Sequence, residues 1–208
     1  AERERWKEAL RYFIKKIMLA TGGKRVIIKS CPHTARIRLI LEAFPDARFV
    51  FIHRNPYEVY LSTLHMRSHT DWENFFHKPD ESWETQRERQ TLLLGQRIYE
   101  RYLEDRHLIP EGNLVELAYT ELAGNEMAVM ERLWATLRLE GWERAEPVLQ
   151  QYVDGLKGYQ TNKLKPISKK DKDAVYQHWA AVFEAFDYPR EYPPPSPPSA
   201  TPVQETTP

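Results

Sequence analysis

The chain has 208 residues, enough for one domain with a sizeable core. Its 30 basic residues balance 30 acidic ones, which argues against a general nucleic-acid or polyanion binder but permits a local basic pocket. A single cysteine, Cys31, excludes an internal disulfide framework and a cysteine-rich zinc site and points to a reducing, cytoplasmic setting; no apolar stretch approaches the roughly 20 residues needed to span a bilayer.

Trp6, Leu10, Phe13, Ile14, Ile17 and Met18 recur at helical spacing among charges, which predicts an amphipathic helix over 2–20. Thr21-Gly22-Gly23 stops it. The run RVIIK, 25–29, reads as a short apolar strand ending in a cation. A loop through Ser30, Cys31, Pro32 and His33 follows, with Thr34 placed to cap a helix over 35–44. Pro45-Asp46 then leads into FVFI, 49–52, apolar at every position and too short for a helix, the pattern of a parallel strand covered on both faces. Asn55 is a good N-cap and Pro56 a good first helical residue, so a helix is expected from there to about Arg67.

Residues 68–84 read as irregular, with Trp72, Phe75, Phe76, His77 and Trp83 among polar residues. These rings suit either a lid or acceptor-pocket wall, or a loop simply pinned onto the core. A long helix is predicted over 83–105, a further strand over 113–118, and helices over 120–139 (mainly after Gly124-Asn125), 145–156 and 168–186, the last capped by Ser168. Residues 158–165 form a polar, basic loop. From 193 onward proline, serine and threonine dominate, the composition of a disordered or polyproline-like tail, leaving 1–192 as the folded domain. Successive strand–helix units predict an α/β fold with parallel pairing through right-handed crossovers. The chain opens on Ala1 without an initiator methionine and reads as the interior of a longer protein.

The segment ARFVFIHRNPYEVYLS organises the candidate site. A strand end, Arg54 and a helix N-terminus in succession make an anion site natural in an open α/β sheet. The alternative is an arginine salt-bridged at a strand end. Lys29 closes the other predicted strand and is expected on the same rim, where an ammonium stabilises a second anionic group or a leaving phosphate. His33 is a candidate general base, although a lone loop histidine is more often structural. His65 and His69 form the only helical i, i+4 histidine pair and lack an accompanying carboxylate motif, so no metal is expected.

Three motifs, in order, resemble those of sulfotransferases that use 3'-phosphoadenosine 5'-phosphosulfate (PAPS), most closely their bacterial branch. IIKSCPHT resembles the family's strand-ending lysine and following histidine. FVFIHRNPYEVYLS resembles its 3'-phosphate motif, and NLVELAYTEL its later strand ending beside the adenine. The resemblance implies a three-layer, P-loop-NTPase-like fold with a short central parallel sheet and a helix-rich C-terminal half. It implies Arg54 and Ser62 on the 3'-phosphate, Lys29 near the 5'-phosphosulfate, Tyr119 against the adenine, and His33 in the region of a catalytic histidine. Lys163, with Asn162 and Tyr159, falls where relatives close a basic loop over the nucleotide. The family's first strand and its glycine-rich 5'-phosphosulfate loop have no counterpart here. The implied reaction is sulfuryl transfer from PAPS to a hydroxyl or amine on a small-molecule, lipid or sugar acceptor. A P-loop-type nucleotide kinase and a non-catalytic nucleotide-binding module are the alternatives.

Overall fold

A computed structural model of the chain describes residues 1–76, 79–80, 82–156 and 165–192. Helix α1, Glu2–Ala20, is followed by a link without helix or strand, a 3-10 turn at Cys31–Arg36, and α2, Ile37–Ala43. Strand β1, Phe49–His53, leads into α3, Pro56–Thr70, and then α4, Trp83–Asp105. Strand β2, Leu114–Ala118, is followed by the short α5, Tyr119–Leu122, and by α6, Glu126–Thr136, α7, Trp142–Gly155, and α8, Lys169–Ala185.

The two strands pair in parallel, Phe49 opposite Leu114 through to His53 opposite Ala118. Both therefore end at one rim. Side chains alternate across a strand, so each face of this ribbon meets a different layer. Phe49, Phe51 and Leu114 pack with Ile37, Tyr102 and Ile109 on one side. Val115 and Leu117 pack with Val129, Leu133 and Leu137 on the other. A third core joins α3, α4 and α8 through Tyr57, Tyr60, Leu92, Val175, Trp179, Val182 and Phe183. The result is a helix-rich α/β fold around a short parallel sheet.

The expected strand at 25–29 does not form. That segment joins no ladder among the described residues, and Ile27 is 89% exposed. A run of apolar, β-branched residues becomes a strand only when a neighbour supplies hydrogen bonds and packing. On the same grounds Val50 and Ile52 of β1 lie 43% and 49% exposed, whereas Val115 and Leu117, opposite them in register, are covered by α6. Thr34 does not cap a helix either. It lies inside the 3-10 turn, and α2 starts three residues later. Helix α7 starts at Trp142 rather than 145, because Gly141, at φ +81, turns the chain there.

Candidate nucleotide-binding site

Asn55 caps α3 as its position predicts: its side-chain oxygen accepts the Tyr57 N–H at 3.0 Å. That cap fixes where β1 stops, and Arg54 sits in the turn between them. One residue beyond the last register pair, His53–Ala118, come Arg54 on one strand and Tyr119 on the other. The Arg54 guanidinium accordingly lies over the Tyr119 ring, 4.6 Å from its centroid. A cation over a tyrosine face is attracted by the ring quadrupole, and this contact helps hold the guanidinium in place.

Arg54 Nε also donates to Glu58 Oε2, one turn into α3. The salt-bridged alternative is thus part of the arrangement, yet a guanidinium carries five N–H groups and this pairing occupies one edge. Glu58 Oε1 accepts from the Tyr192 hydroxyl at 3.1 Å. Ser62 follows Glu58 by four residues and is exposed, so Glu58 and Ser62 share one side of α3.

The segment after α8 closes the other side of the rim. Asp187, at φ +53, reverses the chain, and the Tyr188 N–H bonds the Phe183 carbonyl at 2.9 Å. The Tyr57 hydroxyl donates to the Arg190 carbonyl at 2.7 Å. Tyr188 and His53 are hydrogen-bonded through the hydroxyl and Nδ1 at 2.8 Å. The His53 ring stacks on Phe186, with centroids 4.2 Å apart. Burial holds the His53 pKa below the ordinary histidine value, with Glu116 and Glu121 opposing the shift. Burial likewise raises Tyr188 and Tyr192, and the Glu58 carboxylate adds to both shifts, so both phenols stay protonated donors near neutral pH.

Of the residues nominated from sequence, Arg54 and Tyr119 are in contact, with Ser62 on the adjoining helix. Lys29 lies exposed in the link between α1 and the 3-10 turn. His33 lies in the 3-10 turn with its ring edge to Trp6, centroids 6.1 Å apart. Its Nδ1 is buried without a hydrogen-bond partner among the described residues. Burial, and then the Arg36 charge, lower its pKa, so the imidazole is neutral at pH 7, the form a general base needs. Asn162 and Lys163, with Tyr159, lie outside the described residues. Glu58, Tyr188 and Tyr192 were not nominated from sequence. The i+4 spacing from Arg54 is a signal for Glu58. Tyr192, 134 residues beyond Glu58, has none.

The rim therefore combines a half-buried guanidinium, a capped helix start and an aromatic face, a donor set suited to a phosphate attached to a planar base. No helix among the described residues is long and apolar enough to cross a membrane.

Comparison with known proteins identifies the relatives. The chain is 30% identical over 200 residues to omega-hydroxy-beta-dihydromenaquinone-9 sulfotransferase Stf3 of Mycobacterium bovis and, equally, of Mycobacterium tuberculosis. Those matches cover 94% of this chain and 49% of each relative, so the chain spans about half the length of the curated relatives it matches. Its fold is similar to that of the crystal structure of sulfotransferase STF9 from Mycobacterium avium, with a TM-score of 0.58 at 21% identity, over 74% of this chain and 40% of that one. A model of the sulfotransferase family matches residues 2–144, and the chain belongs to that family.

Proposed function

We propose that the protein to which this chain belongs transfers a sulfuryl group from PAPS to an acceptor hydroxyl or amine. The observation that carries this is Arg54, just past the end of β1, over the ring of Tyr119 just past the end of β2, beside the capped start of α3. In this role Arg54 and the Ser62 hydroxyl bind the 3'-phosphate, and Tyr119 lies against the adenine. Lys29 stabilises negative charge that develops on the bridging oxygen as the sulfur–oxygen bond to the 5'-phosphate breaks. As the new sulfur–oxygen bond forms, the His33 imidazole takes the proton of the acceptor. Asn162 and Lys163 bind the nucleotide as well. Positioning and electrostatics supply the catalysis, as they do in phosphoryl transfer.

Among small-molecule, lipid and sugar acceptors, a hydroxyl-bearing lipid is favoured by the relatives, whose name specifies omega-hydroxy-beta-dihydromenaquinone-9. Titration calorimetry with adenosine 3',5'-bisphosphate tests the nucleotide site. Arg54→Ala removes charge-assisted hydrogen bonds worth about 3 kcal/mol, or about a hundredfold in affinity. Unchanged affinity in that variant refutes the site.

A further inference from the structure

Arg54 is held by two groups, one of which is in turn fixed by a residue from the far end of the folded chain. The guanidinium lies over the Tyr119 ring, and Glu58 Oε2 takes the Nε–H. Glu58 is in turn fixed through Oε1 by the Tyr192 hydroxyl at 3.1 Å. Tyr192 is itself seated, its ring edge-on to Tyr57 with centroids 5.8 Å apart and Lys172 Nζ 5.8 Å from its centroid. The two Nη groups of Arg54 make no hydrogen bond among the described residues, so the double-donor end of the fork is available at the rim.

We propose that Glu58, braced by Tyr192, is a positioning residue that aims the Arg54 guanidinium at the 3'-phosphate of the nucleotide. The role rests on the nucleotide site proposed above. A carboxylate on the same helix side as Ser62 repels a phosphate, so charge alone makes Glu58 unfavourable for anion binding. Its contribution lies in the geometry it imposes. A guanidinium whose rotamers are already restricted loses less freedom when it binds. The two effects have opposite signs, which makes them separable by experiment.

Titration calorimetry on the full chain compares wild type, Glu58→Gln, Tyr192→Phe and Arg54→Ala. The ligands are adenosine 3',5'-bisphosphate and, in parallel, adenosine 5'-monophosphate. Glu58→Gln is expected to weaken the bisphosphate about tenfold despite removing a negative charge, and Tyr192→Phe about threefold, with the monophosphate unaffected. Tighter or unchanged bisphosphate binding by Glu58→Gln overturns the role, as does an equal loss for both ligands, which marks general loosening. If Glu58→Gln does not fold, Tyr192→Phe, which removes one hydroxyl, decides alone. Retained affinity in Arg54→Ala removes the nucleotide site itself. Lost affinity there together with tighter binding in Glu58→Gln removes only the positioning role.

Discussion

Gly95 lies in the middle of α4, where alanine ordinarily favours a helix by about 1 kcal/mol. Here the sign reverses. A methyl group at Gly95 collides with Trp179 Cζ2 and meets Cε2 at 2.6 Å and Nε1 at 2.9 Å. Trp179 is 2% exposed, and its Nε1–H donates to the Leu92 carbonyl at 2.9 Å. The indole is rigid and enclosed by Tyr60 and Tyr99, so it yields only by shifting α8 away from α4. Overpacking of this kind costs about 1–3 kcal/mol, and loss of the indole hydrogen bond adds about 1 kcal/mol. After the propensity gain, Gly95→Ala should destabilise the fold by about 1–3 kcal/mol, which lowers Tm by roughly 3–10 °C in a domain of this size. Thermal and urea unfolding followed by circular dichroism measure it. A variant as stable as wild type, or more so, refutes the close approach of α4 and α8.

Asn55→Ala removes the cap of α3 and should cost about 1 kcal/mol in urea unfolding. Because Arg54 adjoins that cap, nucleotide affinity should fall as well, and a stability loss without an affinity loss separates the cap from the site. His33 and His53 both have pKa values lowered by burial, so the unfolded chain binds protons at a higher pH than the folded one. Their contribution is complete above the unfolded value near pH 6.5 and is lost as pH falls through it toward the lower folded values. Urea midpoints at pH 7.5 and pH 5.5 should therefore show weaker stability in acid, with a smaller difference in His53→Gln. An equal difference in that variant rules out the contribution of His53.

The continuous apolar run at β1, the turn chemistry of Asn55-Pro56 and the periodicity of α4 are local signals. The structure keeps the strand, the cap and the helix, although the run's expected cover on both faces fails at Val50 and Ile52. The register that puts Arg54 beside Tyr119 follows from two parallel strands ending at one level. The segment 25–29 shows the limit of such signals. Its composition is that of a strand, but pairing is a property of two segments, and one segment cannot announce its partner. The aromatic strap of Phe186, Tyr188 and Tyr192 was equally hidden. Its contacts to His53 and Glu58 span more than 130 residues and depend on the reversal at Asp187, a left-handed position that no glycine marks. The pairing of Arg54 with Glu58 lay within reach, since helical spacing alone brings such charges together.

The phenol that steadies Glu58 belongs to residue 192, so this corner of the molecule joins parts of the chain 134 residues apart. On a ribosome adding about 5–20 residues per second, Glu58 is polymerised roughly 7–27 s before that phenol exists. A half-made polypeptide carries the arginine without its brace. The Glu58 carboxylate therefore meets this partner only once translation has passed α8.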